Sequence, residues 1–303
     1  MANIIEINNL TKRYKDVLAV NDLSFCVKEG ELFAFLGVNG AGKSTTINVM
    51  CGQLPNDSGS IIVDGYNLDN DADLIKQKIG VVFQNSILDQ SLSVYDNLKN
   101  RAALYGIVGN DFKKRLTKLA KLLEFENLIK REFRKLSGGQ KRKIDIARAL
   151  LHQPKILILD EPTTGLDPQT RKLIWSVISD LRKKENMTVF LTTHYMEEAA
   201  DASYVVIIDN GKIVAKGTPL ELKNTYTGDF VTLYKSNEEE VIKLGYEYEA
   251  IRDAFRIAVP DTKTATLLIT KYPHLFIDYE ITKGKMDDVF LAVTGKKLLG
   301  GEE

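Results

Sequence analysis

Residues 37 to 45 read GVNGAGKST, a glycine-rich loop that follows the apolar run LFAFLG (32 to 37) and precedes a helical stretch. Few features restrict a fold so tightly. The run before the loop must be a buried strand, the loop must expose bare backbone, and a helix must start where the loop ends. Four further runs, IGVVFQ (79 to 84), KILILD (155 to 160), MTVFLTT (187 to 193) and YVVIID (204 to 209), are nearly all apolar, the pattern of strands covered on both faces. Helical patterns lie between several of them, such as PQTRKLIWSVISDLRKK from Pro168, with Leu173, Ile174, Val177, Ile178 and Leu181 on one side. Strand and helix in alternation predict an α/β core built on a parallel sheet.

Three regions depart from that alternation. The opening IIEINNL and LAVNDLSFCV alternate in the manner of antiparallel strands, predicting a separate small sheet beside the glycine loop. From about Leu92 to His152 the chain reads as helices only, including DFKKRLTKLAKLLEF with Phe112, Leu116, Leu119 and Leu123 in register. This predicts a helical subdomain, about residues 92–152, inserted in the core. After residue 222 the runs GDFVTLYK, EEEVIKLG, AFRIAV, DTKTATLLITKY and LFIDYEI follow as strand, helix, strand, helix, strand, predicting a small α+β appendix over residues 223–303.

Composition removes several classes of function. Of 303 residues, 41 are basic and 41 acidic, so no global positive field points to nucleic acid or an anionic membrane. Cys26 and Cys51 are too few for a disulfide framework and read as two small buried thiols, in keeping with a reducing compartment. The start MANIIEINNL lacks a basic region and its apolar run is broken by Glu6, and no apolar stretch approaches the ~18 residues of a membrane helix. The expectation is a soluble chain without a signal peptide.

The chemistry follows from residue types at the strand ends. Gly37, Gly42, Lys43 and Ser44 have the spacing of a P-loop, in which backbone N–H groups surround a β-phosphate, the lysine spans β and γ oxygens, and the hydroxyl can ligate Mg²⁺. Asp160 ends a buried strand, where its carboxylate can reach that metal, and Glu161 beside it is a candidate for polarising an attacking water. Gln84 and His194 occupy the same kind of strand end, where ligands gather in open α/β sheets. His152 and His274 lack such a setting. A second anion cradle comes in KLSGGQKRKIDIARALL (135 to 151), where Ser137, Gly138 and Gly139 stand ahead of Ile144, Ala147 and Leu151 at helical spacing. Two phosphate cradles in one chain demand an explanation.

In order, GVNGAGKST, Gln84, LSGGQ, ILILDEP, GLD (165 to 167) and His194 resemble the motif series of the ATP-binding cassette (ABC) ATPases, over about residues 1–222. The resemblance implies a P-loop NTPase core that binds ATP and Mg²⁺ and pairs head to tail with a second subunit, expected to be another copy of this chain. Each ATP would then lie between one P-loop (Gly37, Val38, Asn39, Gly40, Ala41, Gly42, Lys43, Ser44 and Thr45) and the partner's Ser137, Gly138, Gly139 and Gln140. The same resemblance makes Tyr14 the aromatic that stacks on adenine, Asp167 the acidic residue that communicates across the dimer, and Gln84 the link between metal site and transporter. Lys43, Gln84, Glu161 and His194 become the catalytic set, with Ser44, Gln84 and Asp160 at the metal. GLDPQTRKLIW, TTHYMEEAAD and KMDDVFLAVTG look like the stand-alone ATPases of bacterial exporters of drugs, antibiotics, lipids or polysaccharides. That implies a separate membrane permease as partner and a location on the inner face of the cell membrane. A soluble ABC ATPase acting on nucleic acid or ribosomes is the alternative. It is disfavoured by the single cassette and the compact segment between Gln84 and Leu136. A kinase or GTPase would leave the signature, Asp167 and His194 as coincidences.

Overall fold

The protein is described by a computed structural model covering residues 2–295. Its contacts divide the chain into two units, 1–213 and 214–303.

In the first unit β1 (Asn3–Tyr14) and β2 (Val17–Lys28) form a long antiparallel pair. The chain then enters β3 (Leu32–Leu36), fully buried, and passes through the glycine loop into α1 (Lys43–Met50). Next, β4 (Ser58–Val63) pairs with β1, and β5 (Tyr66–Asn67) completes a four-stranded sheet of order β2-β1-β4-β5. After α2 (Leu68–Lys78) comes β6 (Ile79–Val82). The expected helical insertion follows as α3 (Val94–Ala103), α4 (Gly109–Leu122), two short 3₁₀ turns and α5 (Gly138–Leu150). The chain returns through β7 (Ile156–Asp160), α6 (Pro168–Glu185), β8 (Thr188–Thr193), α7 (Met196–Ala200) and β9 (Tyr204–Asp209). Strands β9, β3, β8, β7 and β6 lie side by side in that order, paired in parallel. The sheet continues past β9 into β10 (Lys212–Gly217), the strand in which the two units meet in sequence.

One apolar core serves both sheets of the first unit. Ile5, Ile7, Leu10 and Leu23 from the antiparallel sheet share it with Phe33, Phe35, Ile158 and Phe190 from the parallel one. Phe25 of β2 stacks on Phe33 with ring centroids 5.3 Å apart, and Phe33 on Phe190 at 5.2 Å. Burial of each such side chain contributes about 1.5–3 kcal/mol, and the glycine loop follows a strand embedded in this core. Cys51 is buried as expected, and burial pushes its thiol up to about 12. Cys26 is exposed, contrary to the expectation, because it faces outward on the alternating strand β2.

The second unit begins within β10 and includes α8 (Pro219–Tyr226) and β11 (Asp229–Tyr234). The change of pattern at residue 222 therefore falls inside a helix. There follow α9 (Glu238–Ile242), β12 (Tyr248–Ile251), β13 (Ala254–Val259), α10 (Thr262–Lys271), β14 (Tyr279–Lys283) and α11 (Met286–Thr294). The antiparallel sheet has the order β12-β13-β11-β14, and Val231, Leu233, Ile257 and Val259 bury one face under Val241, Ala265 and Leu268. Strand β12 escaped the sequence reading because YEAI is short and half polar, pairing only with β13 at the sheet edge. Residues 296–303, the end of the expected appendix, lie outside the described residues.

Candidate functional site

Four adjacent strands deliver the site. The glycine loop follows β3, Gln84 follows β6, Asp160 ends β7 with Glu161 next, and His194 follows β8, all at carboxyl ends of one parallel sheet. The loop is tied to its neighbour by the Gly37 N–H, which donates to the Thr193 carbonyl at 3.3 Å. Gly42 closes the loop with φ 108°, and a Cβ there would lie 2.4 Å from the Ala19 carbonyl oxygen. No other residue fits that position without strain. The bare loop that results lets α1 start at Lys43 with no side chain capping its first N–H groups.

Lys43, Gln84, Glu161 and His194 converge. Lys43 Nζ donates to the carbonyls of Gly37 (2.7 Å) and Val38 (3.2 Å) and lies 3.4 Å from Glu161 Oε1, a pair in which both side chains are buried. Burial holds the Lys43 ammonium below its ordinary range, against the opposing pull of Glu161 and Asp160. Gln84 Nε2 donates to Glu161 Oε2 at 3.4 Å, and Thr164 Oγ1 approaches the same oxygen at 3.5 Å. His194 Nδ1 sits 3.3 Å from Glu161 Oε1 without hydrogen-bond geometry. Ser44 Oγ donates to Asp160 Oδ1 at 3.4 Å, and Thr192 Oγ1 donates to the same oxygen at 2.5 Å. Glu161 itself has a left-handed backbone, φ 46°, unusual for a residue with a side chain, and its N–H is anchored on Thr192.

The second cradle has a different arrangement. Ser137 caps α5, its Oγ accepting from the Gln140 N–H at 3.3 Å, while Gln140 Oε1 accepts from the Ser137 N–H at 3.1 Å. This reciprocal box leaves Gly138 exposed at the positive end of a 13-residue helix. Gly139 packs against the start of α6, where an added Cβ would meet Thr170 Oγ1 at 2.9 Å and Asp167 Oδ2 at 3.3 Å. Asp167 caps α6, accepting from the Thr170 N–H and hydroxyl, and these bonds hold its carboxyl below the usual range. Among the described residues, the hydrogen bonds and ion pairs of Ser137 and Gln140 do not reach Lys43 or Glu161. Asn39 and Gly40 are exposed at the loop tip, Ala41 is buried and Thr45 half-buried. Tyr14 is exposed at the end of β1, with Lys12 Nζ 5.9 Å from its ring centroid.

Sequence reasoning missed a set of buried polar residues that support these groups. Arg142 on α5 donates to the carbonyls of Asp160, Glu161 and Pro162 (2.9, 2.9 and 2.7 Å) and to that of Phe83 (2.5 Å). One turn on, Asp145 accepts from Ser86 Oγ at 2.7 Å, and a further turn on, Arg148 donates to the Val81 carbonyl. Glu198 on α7 accepts from Thr163 and Thr193. A signal existed in KRKIDIAR, where charges at 142, 145 and 148 fall on one helix face.

Comparison with known proteins places these features in a family. The family model described as ABC transporter matches residues 20–164. The Nod factor export ATP-binding protein I of Cupriavidus pinatubonensis is 34% identical over 309 residues, 97% of this chain and 92% of that protein. The linearmycin resistance ATP-binding protein LnrL of Bacillus subtilis is 35% identical over 313 residues, 97% of this chain and 99% of that protein. Among solved structures, the dimeric post-hydrolysis state of the ATP-binding cassette MJ0796 bound to ADP and Pi superposes with a TM-score of 0.66. It is 27% identical and covers 71% of this chain and 98% of that one.

Proposed function

The chain belongs to the ABC transporter ATP-binding proteins, and from that membership we propose that two copies bind and hydrolyse ATP between them to drive a separately encoded membrane permease in export. The observation that carries this reading is the convergence of Lys43, Gln84 and His194 on the two carboxylate oxygens of Glu161. The loop N–H groups and Lys43 take the phosphates, Lys43 exchanging its contact with Glu161 for oxygens of the γ-phosphate. Glu161 then accepts a proton from the attacking water as the new P–O bond forms and the bond to ADP breaks. His194 orients the water and the γ-phosphate, and Gln84 connects this point to the permease. Tyr14 stacks on adenine.

The donors present fit Mg²⁺. Ser44 supplies a hydroxyl and Asp160 a carboxylate, hard oxygen ligands of the kind that ion takes, and Gln84, which bonds Glu161, would add an amide oxygen. Bound there, Mg²⁺ would neutralise charge on the β- and γ-phosphates.

The second cradle serves the partner's nucleotide. Ser137 and the N–H groups of Gly138 and Gly139 face a γ-phosphate held by the other copy's P-loop, and Asp167 relays between the two sites. Export is supported by the relatives named for Nod factor export and linearmycin resistance. No helix among the described residues is long and apolar enough to cross a membrane. On this reading the chain meets the inner face of the cell membrane through its permease. Residues 223–303 act as an accessory domain of regulation or assembly. In the test, Glu161→Gln should keep ATP binding, lose about 10²-fold or more of turnover and accumulate as an ATP-bound dimer. Near-normal phosphate release by this variant contradicts the proposal.

A further inference from the structure

Glu198 is a buried carboxylate outside the motif series, and it joins the two segments that carry the hydrolytic groups. Its Oε1 accepts from Thr163 Oγ1, two residues after Glu161, and its Oε2 accepts from Thr193 Oγ1 at 2.6 Å, one residue before His194. Both threonines are fully buried and Glu198 is 6% exposed. Thr193 Oγ1 also accepts from the Tyr195 N–H at 2.9 Å, so its proton is committed to Glu198 and the peptide on the far side of His194 is held through the same hydroxyl. The circuit closes through side chains. The Tyr195 ring packs on His194 with centroids 4.2 Å apart, and Arg171 lies 5.1 Å from the centroid of that ring. Arg171 stands on α6, the helix that Asp167 caps.

A buried carboxylate costs free energy unless its charge is used. Burial pushes the Glu198 carboxyl up, and the two hydroxyls together with the charges of Arg171 and His194 oppose that rise. An ionised carboxylate can accept from both threonines at once, one on each oxygen. A buried apolar side chain would fill the same space without that cost, yet it would leave two hydroxyls without acceptors and the two segments unlinked.

We propose that Glu198 is a positioning residue for hydrolysis, fixing His194 relative to Glu161 and coupling both to the Asp167 loop through Thr163 and Thr193. This rests on the reading of Glu161 and His194 as the hydrolytic pair. When ATP reorders either segment, the bridge carries the displacement to the other, so the water-activating and phosphate-sensing groups move together.

The experiment compares steady-state MgATP hydrolysis of the full-length homodimer. Glu198→Gln keeps the volume but can no longer accept from both hydroxyls; it should lower kcat by about tenfold while KM changes by less than about twofold, the signature of mispositioned groups with intact binding. Thr193→Val should give the same split and Thr193→Ser should restore kcat, since it keeps the hydroxyl. Combining Glu198→Gln with Thr193→Val should cost little more than either alone, because both cut one bridge. Wild-type kcat in Glu198→Gln overturns the inference, as does equal loss in Thr193→Ser and Thr193→Val, which would make bulk the cause. Should Glu198→Gln fail to fold, the two Thr193 variants decide. Glu161→Gln in parallel separates the two readings: if it keeps turnover, the hydrolytic assignment fails, whereas loss there with full activity in Glu198→Gln removes only the role of Glu198.

Discussion

Glu161 shows how much local backbone the chemistry requires. Its left-handed φ of 46° turns the carboxylate back toward Lys43, and the strain is held by Thr192, which receives the Glu161 N–H and donates to Asp160. The identities of Lys43, Asp160, Glu161 and Gln84 were legible because each sits at a strand end beside a recognisable run. Arg142 and Glu198 were not, since their partners are backbone carbonyls and threonine hydroxyls contributed by distant segments, which leave no mark in spacing. Tyr14 is an exposed aromatic at a strand end. Tyr14→Ala should weaken ATP binding by about tenfold and Tyr14→Trp should not, because stacking needs a π-face and about 1–1.5 kcal/mol is at stake. Equal ATP affinity in a fluorescence titration of all three proteins would make Tyr14 a bystander.

At the scale of elements, α5 is the piece that joins the insertion to the sheet. Arg142, Asp145 and Arg148 rise one turn apart and bond Phe83, Ser86 and Val81, so the helix that begins at Ser137 is laced to the segment that carries Gln84. On the proposed reading, a displacement of Gln84 by a permease would be carried through α5 to the LSGGQ segment at its start. Arg142→Leu should destabilise the protein by about 3 kcal/mol in chemical denaturation, since four carbonyls lose a charged donor at once; a loss below about 1 kcal/mol contradicts that lacing. Asp145 adds a pH signature. Burial raises its carboxyl, against Ser86 and the flanking arginines, so between its ordinary and raised values the folded chain holds a proton that the unfolded chain has released. Stability contributed there is complete at lower pH and is lost as pH rises through that interval. Asp145→Asn should flatten this part of the stability curve, and an unaltered slope would show that the group does not titrate as placed. The insertion was legible as helices because its apolar residues repeat at 3.6 spacing. The short edge strand β12 was not, because four half-polar residues carry no period.

For the whole molecule the question is why one chain carries two phosphate cradles. Each is complete in itself: the P-loop is wired to Asp160 and Glu161, while the bonds of Ser137 and Gln140 close within their own helix cap. A site shared between two copies uses both. The direct measurement is ATPase activity against mixing ratio for two inactive variants, Lys43→Ala and Ser137→Arg, with subunit exchange verified separately. In a mixed dimer with shared sites, one site collects both lesions and the other none, so activity should appear on mixing and reach its maximum near equal proportions. If one chain used both of its cradles on a single nucleotide, every site would keep a lesion, and mixed dimers with no activity at any ratio would contradict the shared site.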